Sequence, residues 1–424
     1  MKGWMRAGIA ALAASAVPAW GEEPLPAYAH RNRDREEMLT RGGGDAATEA
    51  AVQDGLSWLA RHQSPRGSWN PETFADAAGD CGCAGSGEPE HAVGVTGLAL
   101  LAFAGAGHGS DSRREWKDPV TGETVRVGEH VRRGLAWLAG TQRQSGQFDG
   151  GGNRLMYSHA MATAAMCEHY GLTGDAEWKR SAEAGIGFLL AARNPGGAWR
   201  YTSRAGDNDV SVTSWCVQAL HAARLGEIGD RVQVDAALTG ARSFVRACTD
   251  ERTFLVGYHA RGDGKVITTG KNEEWEGHPA MTAAGMVIRL RAGEARESRP
   301  IVAGAKVLVS DLPVAAGKKI DAYYWYCWAQ GLYLCKGPTS KYWNRGANGA
   351  LKAALTHSQE AGEGCLRGSW NPAVDRWGFA GGRVAVTALN VMTLEIYYRH
   401  RPSEGAEVED GEPEPGGPKF GQDD

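Results

Sequence analysis

Nowhere in the 424 residues do lysines and arginines gather into a block, and that absence argues against a nucleic-acid-binding face. Long uncharged apolar runs are missing as well: beyond the first twenty residues no segment has the length to cross a bilayer as a helix. Cysteine is sparse, at eight residues, and Cys167, Cys216, Cys327 and Cys335 lie in apolar, helix-like runs where the thiol acts as a small buried hydrophobe. A disulfide-stapled scaffold is therefore not expected at this size. The 42% of hydrophobic residues can bury a large core, and length alone would permit more than one domain.

The ends differ from the middle. Lys2 and Arg6 precede an Ala-rich apolar run with small residues at Ala19 and Gly21, which reads as a secretory signal peptide over residues 1–21 of a secreted or periplasmic protein. Residues 22–45 read as a charged linker. Residues 401–424 hold eight acids against Arg401 and Lys419, with four prolines, and read as an acidic disordered tail.

Between the ends the chain repeats itself. Gly55, Trp58, Leu59, Gln63, Gly67 and Trp69 spell G-x-x-W-L-x-x-x-Q-x-x-x-G-x-W. Gly134, Trp137, Leu138, Gln142, Gly146 and Phe148 repeat it with Phe last, and Gly185, Phe188, Leu189, Arg193, Gly197 and Trp199 repeat it with Arg for Gln. A looser copy runs from Gly349 through Gln359 to Gly368 and Trp370, and residues 66–71 and 367–372 are both RGSWNP. Each copy predicts an amphipathic helix, a Gly-rich turn and then a more apolar helix, at 93–106, 158–170, 209–225 and 383–398. Two degraded units place 234–247 before 278–292 and 301–309 before 321–334. That makes six helix pairs at spacings of roughly 50 to 80 residues.

A helix apolar on all sides has to be covered on all sides, whereas an amphipathic one can face water. Six pairs satisfy both by closing into a ring with the apolar helices inside. An open solenoid would want polar capping repeats at its ends. Here the first and last repeats carry identical Trp turns, as expected of neighbours across a seam.

On these residues the chain resembles the terpenoid cyclase and protein prenyltransferase superfamily, above all squalene-hopene-type cyclases, whose QW motif it carries over residues 46–400. The resemblance implies an all-α (α/α)6 toroid in which Gln63, Trp69, Gln142 and Trp199 are structural. It also implies an apolar or isoprenoid small-molecule ligand. Asp207-Asn208-Asp209-Val210 resembles the cyclases' Asp-x-Asp-Asp motif, so Asp209, with Asp207, would inherit the role of the acid that protonates an alkene; Val210 departs from the motif. The segment from Asp321 resembles that of the prenyltransferase β-subunit, but Tyr323 stands where that family has a zinc-binding Cys, and the last inner helix contains no His. The family's zinc site is thus not transferred, and no cofactor is implied. The absence of Gly-Cys-Gly-Glu-Gln excludes the thioester toroids of the complement family.

Aligning the inner helices on Thr96, Thr163, Thr213, Thr282, Trp325 and Thr387 puts His159, Asp209, His278, Asp321 and Arg383 four residues earlier, with His91 five earlier in the first repeat. These side chains are expected around one mouth of the central cavity. Asp209 and Asp321 are also ordinary helix N-caps. A helix N-terminus disfavours imidazolium, so His159 and His278 are expected neutral and able to take a proton or, with Asp209 or Asp321, a zinc ion. Tyr201, Trp215, Tyr323, Tyr324 and Trp325, with Tyr326 and Trp328, supply aromatic surface for cation-π contact or for stacking a ligand. Two other functions fit the same residues. One is a non-catalytic structural or interaction protein of the cell envelope; the other is a glycan-active (α/α)6 enzyme with paired carboxylates and aromatic sugar platforms. Of the remaining cysteines, Cys81 or Cys83 is expected to pair with Cys365 across the seam, while Cys81, Cys83 and His91 form a weaker metal candidate.

Overall fold

The computed structural model describes residues 24–79, 81–149, 152, 154–262, 277–317, 320–336 and 340–401. The expected signal peptide, and the acidic tail from residue 402 on, lie outside the described residues. Two short helices open the described chain, α1 (His30–Arg33) and α2 (Arg35–Gly42). The next is α3 (Ala46–Arg61), started by a capping box in which Asp45 accepts from the Thr48 amide and Thr48 answers to the Asp45 amide. A single turn, α4 (Phe74–Ala77), leads to α5 (Ala92–Gly105). A small hairpin, β1 (Glu115–Lys117) with β2 (Thr124–Arg126), precedes α6 (Val127–Thr141) and α7 (Leu155–Thr173). There follow α8 (Ala176–Ala191), α9 (Val210–Leu225), α10 (Arg231–Ala247), α11 (Ala280–Arg291), α12 (Arg299–Leu308) and α13 (Ala322–Lys336). The last are α14 (Asn348–Ser358), α15 (Gly378–Leu394) and the turn α16 (Ile396–Arg399).

The apolar helices α5, α7, α9, α11, α13 and α15 contact one another in that order, and α15 returns to α5. The ring is closed. Outside it, α8, α10 and α12 each pack into the groove between consecutive inner helices, α6 packs on α5, and α3 lies across the seam against α15 and α5. α5 is buried along nearly its whole length, whereas α6 buries only one stripe, as their compositions require.

The repeated residues are the joints of this ring. Gln63 Nε2 donates to Gly67 O of its own turn (2.9 Å) and to His130 O of the next outer helix (2.8 Å). Gln142 does the same to Gly146 O and Ser181 O, and Gln359 to Gly368 O (2.9 Å) and Ala51 O (2.8 Å), the latter on α3. The sixth unit is thus bound to the first as the first is to the second. The Trp indoles turn back to their own outer helices, Trp69 to Leu59 O, Trp199 to Leu189 O and Trp370 to Leu355 O. The backbone amides of Trp69, Trp199, Val256 and Trp370 donate to Thr96, Thr213, Thr282 and Thr387. The Thr at equivalent places in these four inner helices is therefore the acceptor that fastens the turn to the ring. Gly134 lies against the ring of Trp69, and Gly55 against that of Trp370.

Residues 24–45 are not a free linker. Tyr28 is fully buried and its hydroxyl donates to Ala222 O, while Arg31 reaches Glu168 at 2.6 Å. Glu168 also takes both oxygens' worth of bonds from Arg399, whose other amino group meets Glu395 at 3.0 Å. This buried network plugs the end of the ring formed by the C-termini of the inner helices. Cys81, Cys83 and Cys365 do meet at the seam, but as free thiols rather than as the expected disulfide. Among the described residues no helix is long and apolar enough to cross a membrane.

Candidate functional site in the central cavity

The other end of the ring, where the inner helices begin, holds a cavity of about 1120 Å³ including its open mouth. Every inner helix contributes to it: Gly94 and Leu98 from α5, Tyr157 and Met161 from α7, Ser211 and Trp215 from α9, Met281 from α11, Tyr323 from α13, and Val386 and Leu389 from α15. Loops complete the wall with His91, Arg154, Tyr201 and Tyr258 and with Asp375, Arg376 and Trp377 of the segment before α15. Most of this surface is apolar or aromatic, as expected when the same helix positions must pack against one another deeper in the ring.

The hydroxyls of the wall bond to one another. Tyr157 donates to Ser211 Oγ at 2.8 Å, Ser211 to the Tyr323 hydroxyl at 3.2 Å, and Ser214 lies 2.9 Å from the same hydroxyl. The hydroxyls of Tyr201 and Tyr258 are hydrogen-bonded to each other at 2.6 Å. Trp215 stacks on Tyr323 and Tyr326, with centroids 6.1 and 5.6 Å apart. These contacts fix the rings in place before any ligand arrives.

One wall is charged. Asp321 precedes α13, where its Oδ1 accepts from the Tyr324 amide (2.8 Å) and its Oδ2 faces Arg376 Nη1 at 3.7 Å. Asp375 accepts from the Ala322 amide (2.7 Å) and the Trp377 amide (2.8 Å), so it joins the loop to the start of α13. Burial pushes the Asp375 carboxyl up to about 7, helped by the negative charge of Asp321. Burial raises Asp321 too, against the attraction of Arg376. Two carboxyls beside one guanidinium, both in a place that disfavours charge, are able to hold or pass a proton near neutral pH. The equivalent-height argument found Asp321 but not Asp375 or Arg376, which stand in the loop between Trp370 and α15.

The other expected site residues divide. Tyr201, Trp215, Tyr323 and Asp321 line the cavity. Asp209 is not among the lining residues. It caps α9 by accepting from the Val212 amide at 2.7 Å, its Oδ2 receives no hydrogen bond, and burial raises the carboxyl to about 7. Asp207 is exposed and paired with Arg200 at 2.6 Å, outside the cavity. His159 faces the outer layer: its Nδ1 accepts from the Phe148 amide, so Nε2 carries the proton and donates to Gly185 O at 3.1 Å. Burial keeps it neutral, with its pKa near 4. It does the work that Thr96, Thr213, Thr282 and Thr387 do in four other repeats. His278 packs edge-on against Tyr324, whose hydroxyl donates to Asp311 O, and Trp325 is buried among the helices. Arg383 holds Ala84 O and Ser369 Oγ. His159, His278, Asp209 and Asp321 are not brought together as a metal-binding set; among the described residues the groups with ligand atoms close enough are His62, Cys81, Cys83 and Cys365, and Glu88, Glu90 and His91.

No family model matches the chain, and no curated protein does. Solved structures do. The GH76A α-1,6-mannanase of Salegentibacter sp. HEL1_6 matches with a TM-score of 0.55 at 11% identity, over 82% of this chain and 98% of that one. A type II terpene cyclase from Scytonema, in complex with geranylgeranyl dihydroxybenzoate, matches at 0.51 and 12% identity over 86% and 99%. An unsaturated glucuronyl hydrolase specific for heparin matches at 0.53 and 14% over 84% and 97%. The chain is an (α/α)6 toroid. At these identities the likeness shows the fold and nothing finer, and terpene cyclase is one of several kinds of toroid it resembles.

Proposed function

We propose that the protein binds an amphiphilic small molecule in the open end of the toroid. Its apolar body would lie along Leu98, Met161, Trp215, Met281 and Leu389, and its polar end would face Asp321, Asp375 and Arg376. The observation that carries this reading is a cavity ringed by hydrocarbon and aromatic side chains, with a guanidinium and two carboxyls on one wall. An isoprenoid alcohol or acid has that shape and polarity. Proton transfer, if the bound molecule reacts, falls to Asp321 and Asp375 rather than to Asp209, which is occupied as a helix cap and does not line the cavity.

The test is binding. Solvent extraction of the purified protein followed by mass spectrometry should yield a lipid. An added isoprenoid acid should quench tryptophan fluorescence saturably, and Met281→Glu should abolish both effects. Loss of neither on Met281→Glu, or no lipid and no saturable quenching, removes the reading and favours a scaffold role.

A second reading has its own support. Paired carboxyls and aromatic walls are also the parts of a glycan-active site, and the likeness to the mannanase and the glucuronyl hydrolase supports it at least as well as the cyclase likeness supports the first. Cleavage of α-1,6-mannooligosaccharides or unsaturated glucuronides, lost in both Asp321→Asn and Asp375→Asn, would establish it in place of the first.

A further inference from the structure

The tightest cluster of metal-ligating atoms lies away from the cavity, at the seam. His62 directly follows α3, Cys81 and Cys83 lie in the loop from α4 to α5, and Cys365 lies between α14 and α15. Three segments of the first and sixth hairpins thus deliver one imidazole nitrogen and three sulfurs, all within 4.8 Å of one another.

The distances are those of a coordination tetrahedron. With zinc–sulfur bonds of about 2.3 Å and a zinc–nitrogen bond of about 2.0 Å, the edges between sulfur and nitrogen come to about 3.5 Å. Cys81 Sγ lies 3.4 Å and Cys365 Sγ 3.5 Å from His62 Nε2. The ring is also aimed. His62 Nδ1 lies 2.8 Å from Trp58 O, and a carbonyl only accepts, so Nδ1 carries the proton and the Nε2 lone pair points at the sulfurs. Stacking on Trp58, at 4.1 Å between centroids, holds the imidazole plane.

Cys-x-Cys is an unusual ligand spacing, and the structure shows how it is accommodated. Gly82 has φ +67°, a left-handed turn that lets Cys81 and Cys83 converge on one point. Two guanidiniums brace the loops that carry the cluster: Arg61, itself paired with Asp118, donates to Cys365 O (3.2 Å), and Arg383 donates to Ala84 O (2.7 Å).

We propose that His62, Cys81, Cys83 and Cys365 form a four-ligand structural zinc site that fastens the first hairpin of the toroid to the sixth. All four positions of the tetrahedron are filled by protein, so the metal has no open site for chemistry. A disulfide is the competing use of these residues, and it would consume two sulfurs and leave the third beside the histidine.

The experiment uses the full chain purified without chelator or reductant. Elemental analysis should find about one zinc per chain, falling at least tenfold in Cys365→Ser and recovering in Cys365→His, which restores a nitrogen ligand. Cobalt substituted into the wild-type chain should give thiolate-to-metal charge transfer and tetrahedral visible bands, readouts that do not depend on a variant folding. After denaturation in chelator, thiol titration should return all eight cysteines. A count two short of that would overturn the proposal in favour of the disulfide. Zinc below about a tenth per chain after loading, or full zinc retained by Cys365→Ser, would overturn it equally.

Discussion

Replacing Gln359 by Leu tests ring closure directly, because this side chain makes the bond that an open array would lack. Gln359 Nε2 donates to Gly368 O in its own turn and to Ala51 O on α3. Leucine keeps the volume and removes both bonds, each with a net contribution of about 0.5–1.5 kcal/mol in a partly buried setting. The expected loss of unfolding free energy is therefore about 1–3 kcal/mol. Gln142→Leu is the internal control, since Gln142 makes the same pair of bonds between the second and third units. In a closed ring the two variants lose similar amounts, with Gln142→Leu slightly worse because Ser181 Oγ also donates to its Oε1 at 2.8 Å. A larger change at the same joint, Gly368→Ala, combines φ +91° with a clash of the new Cβ against the Asp54 carbonyl, and should cost more than about 2 kcal/mol. Urea unfolding followed by circular dichroism measures all three, and hydrogen exchange of the α3 amides localises the effect. A Gln359→Leu chain within about 0.5 kcal/mol of wild type, beside a destabilised Gln142→Leu, would refute closure as a source of stability.

Two further outcomes follow from the buried charges. Glu168→Gln leaves Arg31 without its carboxylate and Arg399 with Glu395 alone, so stability should fall by about 3–5 kcal/mol and residues 24–45 should become the first site of limited proteolysis. The pH dependence has two arms of opposite sign. Glu168 is held down at about 2, chiefly by Arg31 and Arg399 against its burial. Its folded pKa lies below the unfolded one, so its contribution is present above about pH 4.5 and is lost as pH falls toward 2. Burial instead raises Glu395 to about 8 and Asp209 to about 7. Their contributions are complete below about pH 4 and are lost as pH rises through 7 and 8. Denaturant midpoints should thus decline from about pH 4.5 to about pH 8 and level off above it. Asp209→Asn, which keeps a cap acceptor for Val212, should flatten part of that decline without changing ligand binding in the cavity. A flat profile in the wild type would contradict the raised carboxyls.

What the sequence makes legible follows from which contacts have to be repeated. The first, second and sixth units bond to their neighbours through the same Gln, so Gln, Gly and an aromatic recur there at fixed offsets, and in four units a Thr of the inner helix recurs as the acceptor for the turn amide. The ionisable residues at the inner-helix starts recur for a less specific reason. A helix start needs an acceptor for its amides, and Asp209 supplies one without reaching the cavity, so equal height on the ring did not mean equal access to it. The groups with the chemistry to act are those that break the pattern. Asp375 and Arg376 line the cavity from the loop before the last inner helix, where no periodicity points to them. His62 stands immediately before the motif Gln of the first unit, where the other units have Thr141, Ala192 and Ser358. Only at that joint does the neighbouring unit bring a cysteine, Cys365, to meet the imidazole. In a chain built by repetition the shared residues describe the ring, and a residue that differs at one joint alone is the better place to look for what that joint does.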